Sequence, residues 1–167
     1  LEISREGALI VEKGVSIVLD RGTIQLQGML VLESDALFQP QGSGQFYFSG
    51  NAAVSAEKGA VMHLEDAEVK ISSTLNIPSQ LDHFAMDKCK VTLDSEATLR
   101  LQSLSQLWNT EFVKTGKKQT ASISVLEGVS EVQHCQFHGG NPALSIADSV
   151  QWGLANTPFS DANMGLS

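Results

Sequence analysis

Apolar residues recur along the chain at an almost constant interval of 21 to 25 residues. The clearest series is Leu26, Phe48, Val69, Val91, Phe112, Phe137 and Phe159. A second apolar series lies five positions earlier, at Leu64, Met86, Leu107, Val132 and Leu154, and a series of small residues lies two positions earlier, at Ala67, Cys89, Thr110, Cys135 and Thr157. This period is too short for helix-pair or propeller repeats, which need more than about 30 residues.

Within each repeat, apolar and polar residues alternate with a period of two, as in Val15 to Leu19 and Val91 to Leu93. That alternation is typical of β-strands and not of helices. The leucine-rich repeat consensus is absent. We therefore expect an all-β fold, a single right-handed parallel β-helix with about 22 residues per coil and roughly seven coils. Because both ends keep the rhythm of the repeat and the chain does not open with Met, residues 1–167 are expected to be one segment of a longer solenoid.

A polar residue precedes each small residue of the third series. This polar series is Asp66, Lys88, Asn109, His134 and Asn156. It predicts a tight bend between two strands, with the polar side chains bonded to main-chain groups and a more solvent-facing bend at Lys88. Residues 39–44, with one proline and two glycines, are expected to form a kink. The wider spacing between Phe112 and Phe137 predicts a longer corner loop at residues 114–120.

The last 80 or so residues carry a family resemblance. The segments LWNTEFVKTG, EVQHCQFHGGNPALSIADS and LANTPFSDANMGLS resemble the parallel β-helix repeat of pectate-lyase-like proteins and of bacterial secreted or surface β-helix proteins. The resemblance implies a right-handed coil with three short strands per turn, and a secreted or cell-surface location. It does not imply an activity, because the same coils serve lyases, hydrolases, adhesins and phage spikes.

Composition and net charge limit the classes of molecule that this chain could bind. The chain is 42% apolar and can bury one sizeable core, whereas the charged fraction is only 18%, as stacked strands require. Its net charge of −8 argues against nucleic acid or an anionic membrane surface as partner. No apolar run is long enough to insert into a membrane. Cys89 and Cys135 belong to one series two coils apart, roughly 10 Å, which exceeds the reach of a disulfide and predicts two buried free thiols.

The sequence shows no set of residues that would form the catalytic site of an enzyme. By the resemblance, a pectate lyase would show several calcium-binding Asp and an Arg base, and a polygalacturonase would show Asp pairs, and neither set is present. The adjacent acids Glu65 and Asp66 point to opposite faces of a strand. His134, Cys135 and His138 lack the spacing of a zinc site. We therefore predict no catalytic residue, no metal site and no cofactor.

Two tryptophans and a lysine cluster are the candidates for binding. Trp152 falls in the series of Met62 and Phe84 and is assigned to the core, whereas Trp108 falls between inward positions and is expected to be exposed. Exposed aromatics often mark binding surfaces. The basic cluster of this acidic chain is Lys114, Lys117 and Lys118. It reads either as solvated loop charge or, together with Trp108, as a site for an acidic glycan.

These observations favour a non-catalytic structural or adhesive segment of a larger secreted or surface β-helix protein. Its expected partner is an extracellular glycan or a host surface. The alternative is a fragment of a polysaccharide lyase or glycoside hydrolase whose catalytic residues lie outside this segment. The sequence leaves the ligand and the oligomeric state open.

Overall fold

The fold is an all-β parallel solenoid of about seven turns. The structure, a computed structural model, describes residues 1–116, 120–147, 150–160 and 164–166. Each turn contributes three short strands, and the strands pair in parallel with their equivalents in the next turn, except between β8 and β11 on the third wall. This confirms the fold class predicted from the 22-residue repeat. The described residues contain no helix, and so none that could cross a membrane.

The three walls of the solenoid are built from four sheets. Sheet A contains β1 (Glu2–Ile3), β4 (Thr23–Leu26), β7 (Gln45–Phe48), β10 (Glu68–Ile71), β13 (Lys90–Leu93), β16 (Glu111–Lys114), β19 (Gln136–His138) and β22 (Phe159–Ser160). Sheet C contains β3 (Ser16–Asp20), β6 (Leu37–Gln41), β9 (Val61–Glu65), β12 (His83–Asp87), β15 (Ser105–Trp108), β18 (Val129–Gln133) and β21 (Gln151–Ala155). The third wall is divided between sheet B, with β2 (Ala8–Val11), β5 (Met29–Leu32) and β8 (Ala53–Ala56), and sheet D, with β11 (Leu75–Ile77), β14 (Leu99–Leu101), β17 (Ile123–Val125), β20 (Leu144–Ile146) and β23 (Met164–Leu166).

The core lies inside the coil and is formed by the inward-facing residues of the strands. Val69, Val91, Phe112 and Phe137 are successive partners in sheet A and all are buried. The backbone of Phe159 continues the same register. The second predicted series, from Leu64 to Leu154, is likewise in register in sheet C. These two stacks confirm the inward assignment of most of the repeat.

The register predicted for Phe48 is wrong by two residues. Leu26 pairs with Phe48 as expected, but Phe48 pairs with Ile71, and Val69 pairs with Phe46. Phe46 and Phe48 are both buried. A shift of two residues keeps every side chain on the same face of a strand, so alternation alone cannot distinguish the two registers.

The predicted bend between sheets C and A is confirmed. All five polar residues of the series adopt a left-handed conformation, with φ between 48° and 54°. The side chains do not act as expected at Asn109, whose amide donates a hydrogen bond of 2.7 Å to the Asp87 carboxylate of the previous coil. Lys88 is exposed, as predicted, and its ammonium group lies 3.4 Å from Asp87 and 3.7 Å from Glu65.

The kink expected at residues 39–44 is only partly correct. Strand β6 runs through the buried Pro40 as far as Gln41, and the chain turns at Gly42 and Ser43, which have φ of 72° and 62°. Strand β6 pairs with β3 along its whole length but with β9 only at its first two residues. Proline lacks the N–H that a ladder on both sides requires, which accounts for the shortened pairing.

A second corner is held by carboxylates that reach from one coil to the main chain of the previous coil. The bonds join Glu33 to the Lys13 N–H, Glu57 to the Ser34 N–H and Asp82 to the Gly59 N–H, at 3.0, 3.1 and 3.1 Å. Glu57 also accepts the Ser34 hydroxyl at 2.6 Å, and these two hydrogen bonds lower its pKa. Part of the acidic character of the chain therefore serves to join neighbouring coils.

Candidate functional site

The Trp108 side chain lies on the outer face of sheet C and is only partly exposed. Its strand partners are Asp87 and Gln133, as the sequence register predicts. The prediction that Trp108 is exposed is only partly correct, because the ring is half-buried and its indole N–H is shielded from solvent, with no acceptor among the described residues. A partly covered ring offers less stacking area to a ligand than an exposed one.

Trp152 differs from its prediction in the opposite sense, because it is more exposed than predicted. Its backbone pairs with Ser130, so it occupies the predicted inward series. Its side chain is nevertheless 38% exposed. Strand β21 is the terminal strand of sheet C in the described chain, and an inward side chain in a solenoid is covered on both sides only when coils follow on both sides.

Lys114 is buried, and the expectation of a solvated loop charge is wrong for it. It pairs with Leu93 at an inward position of sheet A and is 5% exposed. Its ammonium group donates hydrogen bonds to the Ala97 carbonyl, to the Thr120 hydroxyl at 3.1 Å and to the Ala121 carbonyl at 3.4 Å. Burial lowers the pKa of Lys114 to about 8, against an opposing effect of Asp94.

The position of Lys114 explains why a charged residue stands in a core series. Strand β16 ends at Lys114 and strand β17 begins at Ile123, and residues 117–119 of the corner loop predicted at residues 114–120 lie outside the described residues. Main-chain carbonyls at a corner need donors when they are buried, and the lysine supplies them. Lys117 and Lys118 lie outside the described residues. The structure therefore does not join Trp108 and Lys114 into one surface, since one lies outside sheet C and the other lies inside the coil.

A different surface has the shape of a binding site. Three adjoining depressions of about 350, 270 and 310 Å³ cross the outer face of sheet A over strands β7, β10 and β13. We call this surface the sheet A groove. Its lining residues are Ser43, Gln45, Tyr47, Ser49, Asp66, Glu68, Lys70, Ser72, Lys88, Lys90 and Thr92, together with atoms of the buried residues Phe48, Ala67 and Val69.

Strand alternation and register build the groove. Two rows of outward side chains run across the three strands, one made of Gln45, Glu68 and Lys90 and the other of Tyr47, Lys70 and Thr92. Neighbouring side chains of a row lie one strand spacing apart, about 4.8 Å. The groove therefore carries two rows of outward side chains, of which five are polar or charged and one, Tyr47, is aromatic.

Hydrogen bonds within the groove orient its side chains. The Tyr47 hydroxyl donates to Gln45 Oε1 at 3.3 Å, and Gln45 Nε2 donates to Glu68 Oε2 at 3.2 Å. Thr23 Oγ1 also donates to Gln45 Oε1, at 3.3 Å. The tyrosine ring and the Glu68 carboxylate are thus linked through a single amide.

The lysines of the groove differ in their pairing. Lys88 lies at its bend end, where contacts with Asp87 and then with Glu65 raise the pKa of its ammonium group. Lys70 and Lys90 are exposed, and neither forms an ion pair with a carboxylate of the described residues. Glu68 is the strand partner of Lys90 but is bonded by Gln45 instead.

Sequence reasoning missed this pair of lysines because they are 20 residues apart. The feature that reveals them is the repeat itself. A coil of 22 residues places Lys70 opposite Thr92, and Lys90 lies two positions before Thr92 on the same face. Two outward residues are therefore diagonal neighbours on the solenoid surface when their separation in the sequence is two residues less than the repeat length.

The other groups considered from the sequence are separated by the fold. Asp66 is held in the bend, and Glu65 contacts Lys88. His134 lies in the bend, Cys135 is buried inside the coil, and His138 Nε2 lies 3.4 Å from the Glu111 carboxylate. Among the described residues, no three His, Cys, Asp or Glu side chains are placed to hold a metal ion.

Both cysteines are free and buried, as predicted. The thiol of Cys89 donates to the Leu64 carbonyl at 3.4 Å, and that of Cys135 to the Leu107 carbonyl at 3.2 Å. Burial raises the pKa of each thiol to about 11. Both side chains therefore act as small inward packing groups with a weak donor.

Comparison of the chain with protein-family models, with curated proteins and with solved structures found no match in any of the three. The class that the coordinates define is the parallel β-solenoid of about seven turns.

Proposed function

We propose that this chain is a non-catalytic structural or adhesive segment of a secreted or cell-surface β-solenoid protein related to the pectate-lyase-like group, and that it binds an extracellular glycan chain in the sheet A groove. The observation that carries the proposal is the groove itself. It places the Tyr47 ring on one open face with Lys70 and Lys90, neither of which forms an ion pair within the part of the chain that the structure describes.

The shape of the groove favours an extended polar polymer. Sites for apolar small molecules are enclosed and lined mostly by hydrophobic side chains. The sheet A groove is open, and side chains that end in amide, hydroxyl, carboxylate or ammonium groups line it together with apolar surface. Such groups can bond to the hydroxyls of several sugar units, while the Tyr47 ring, which is half-buried like that of Trp108, offers its accessible part to a sugar ring.

The arrangement of acids in the groove supports binding over turnover. Glycosidic cleavage by hydrolysis uses two carboxyl groups that face each other across the bond, one of them protonated. The two acids of the groove are not arranged in this way. Glu68 accepts a hydrogen bond from Gln45, and Asp66 occupies a left-handed bend. The alternative, a lyase or hydrolase fragment with catalytic residues outside this chain, would use the same face only as a subsite.

A glycan array with the purified segment tests the proposal. Tyr47→Ala should reduce binding roughly tenfold, whereas Tyr47→Phe, which keeps the ring and loses only the hydrogen bond to Gln45, should reduce it much less. Trp108→Ala tests the site expected from the sequence and should leave binding unchanged.

Three results would contradict the proposal. They are the absence of binding to any glycan, binding that survives Tyr47→Ala but not Trp108→Ala, and release of products from pectin, polygalacturonate or alginate by the purified segment. The first removes glycan binding, the second moves the site to sheet C, and the third makes the chain an enzyme.

A further inference from the structure

We infer that the outer face of sheet A is a self-association surface, on which a second copy of this chain docks about a two-fold axis. The axis runs parallel to the strands and lies midway between β10 and β13. The inference stands independently of glycan binding and follows from the order of charges along the face, the register of its strands and its size. Because a second copy covers the sheet A groove, a glycan chain and the second copy exclude each other, and the proposed glycan binding belongs to the monomer.

The signs of the charges alternate along the first row of outward side chains. This row continues on both sides of the groove and reads, in successive strands, Thr23, Gln45, Glu68, Lys90, Glu111 and Gln136. Neighbouring side chains lie one strand spacing apart, about 4.8 Å. Lys90 therefore stands between two carboxylates, and the row offers no net attraction to a uniformly charged ligand. An alternating row instead complements a copy of itself that is displaced by one strand.

A two-fold axis between β10 and β13 produces this displacement. The rotation keeps the direction of the strands and reverses the order of the coils, so β10 faces β13 of the second copy and β7 faces β16. Because these strands are in register, each outward residue faces a residue of the same row. Glu68 then faces Lys90 of the second copy, and Lys90 faces Glu68, as an isologous contact requires. Gln45 faces Glu111, which sets an amide opposite a carboxylate.

The second row of outward side chains matches itself about the same axis. It reads, in successive strands, Gln25, Tyr47, Lys70, Thr92, Val113 and His138. Tyr47 faces Val113 of the second copy, and the contact removes apolar surface of both side chains from water. Lys70 faces the hydroxyl of Thr92, which can accept a hydrogen bond from the ammonium group. Within the two rows, no charged side chain directly faces one of the same sign.

Other positions of the axis are less favourable. An axis through β13 sets the two Lys90 side chains opposite each other and Glu68 opposite Glu111, and facing like charges oppose association. An axis between β13 and β16 pairs Lys90 with Glu111 but sets Lys70 opposite His138. An axis between β7 and β10 pairs no carboxylate with a lysine. The axis between β10 and β13 therefore gives the best match of charges.

The size of the face sets the strength of the contact. Six strands, from β4 to β19, form it. At about 4.8 Å per strand and about 3.3 Å per residue, they cover roughly 29 by 13 Å, or about 400 Å² on each copy. That is about half of the roughly 800 Å² per partner of a standard interface, so the dissociation constant should be about 0.1 mM. The net charge of −8 on each copy opposes association most at low ionic strength, and physiological salt screens it beyond about 8 Å.

The test is sedimentation equilibrium of the purified segment at physiological ionic strength, over protein concentrations from about 0.01 to about 1 mM. Two variants, Glu68→Lys and Lys90→Glu, are measured separately and then mixed in equal amounts. The matched controls are Glu12→Lys and Lys58→Glu, which make the same changes at exposed residues of the corner between sheets B and C. Circular dichroism melting verifies that every variant folds.

We expect the wild type to dimerise and each sheet A variant alone to dimerise at least about tenfold more weakly, because two like charges then face each other at both reciprocal positions. The mixture should recover the dimer, since a heterodimer of the two variants pairs opposite charges at both positions. Neither control should change the association by more than about twofold.

Three results overturn the inference. A wild type that stays monomeric over the whole concentration range shows that the face does not self-associate. A dimer that tolerates both sheet A variants, or that the controls weaken equally, shows that another surface holds it. Loss of the dimer in both variants without recovery in the mixture rejects the axis between β10 and β13. None of these results bears on glycan binding, which the glycan array tests separately.

Discussion

The rings of Phe112 and Phe137 stack with their centroids 4.9 Å apart and an angle of 11° between the ring planes. That separation matches the spacing of neighbouring strands in a sheet, about 4.8 Å. The stack therefore repeats the main-chain ladder of sheet A inside the core. Both residues are buried, so each ring forms the floor on which the ring of the next coil lies.

Truncating either ring should destabilise the solenoid strongly. We expect Phe112→Ala or Phe137→Ala to lower the free energy of unfolding by about 3 to 5 kcal/mol, because each leaves a cavity that neighbouring coils cannot fill. Val113→Ala, on the outer side of the same strand as Phe112, should cost much less. Urea denaturation followed by circular dichroism provides the comparison, and equal losses at Phe112 and Val113 would contradict the inside and outside assignment.

Lys114 should make stability rise with pH above about 8. Burial lowers its pKa from 10.5 to about 8 in the folded state. Between these values the unfolded chain binds a proton that the folded chain has released, so the free energy of unfolding increases with pH. Between pH 7.5 and 9 the contribution of Lys114 to this gain should be roughly 1 kcal/mol.

The variant Lys114→Met isolates this effect. It lacks the amine and should lose the rise between pH 7.5 and 9 that the wild type shows. The raised pKa of the Cys89 and Cys135 thiols acts in the opposite direction as pH approaches 9, but equally in wild type and variant, so the difference between the two pH curves reports Lys114. Parallel pH curves for wild type and variant would mean that Lys114 keeps an ordinary pKa.

Cys89 and Cys135 should resist thiol reagents in the folded protein. Because burial raises the pKa of each thiol to about 11, little nucleophilic thiolate is present at pH 8. Mass spectrometry after treatment with a maleimide should show no addition to the native chain and two additions in denaturant. Fast labelling of the native chain would show that the sheet C to sheet A bend opens readily.

Glu57 should contribute to stability near neutral pH and not in acid. Its hydrogen bonds from Ser34 lower its pKa, so the contribution is present above the unfolded value of about 4.5 and is lost as pH falls through the folded value. Glu57→Gln should lower the urea midpoint at pH 7 but not at pH 3. Glu12→Gln is the control, since Glu12 lies at the equivalent turn of the first coil, where no earlier coil is described. Equal effects of both changes would argue against the cross-coil bond.

The sequence predicts the core wherever the alternation of inward and outward residues along a strand is enough to decide which side chains are buried. Alternation places both Phe46 and Phe48 inside, and the structure agrees. Which of them meets Val69 depends on one extra residue in that coil, and the apolar pattern is unchanged by a shift of two. Pro40 illustrates the same limit, because it reads as a kink in the sequence but is accommodated where the pairing with β9 ends.

The candidate site could be predicted only poorly, because it depends on contacts between coils. Lys114 stands next to a lysine-rich loop in the sequence, yet its ammonium group turns inward to the Ala97 carbonyl in the corner of the previous coil and to the Ala121 carbonyl in its own corner. Lys70 and Lys90 are far apart in the sequence and become neighbours only through the register of β10 and β13.

The sequence by itself determined the repeat, the parallel β-solenoid, the left-handed bend series and the inward series from Val69 to Phe137. These features arise from side-chain size and polarity repeated within every coil, so a linear pattern is sufficient to reveal them. Only the tertiary structure decided the register at Phe46, the exposure of Trp152, the burial of Lys114 and the formation of the sheet A groove. Each of these depends on which coil lies above or below and on the direction of its carbonyls and side chains, and that information is not contained in the period of the chain.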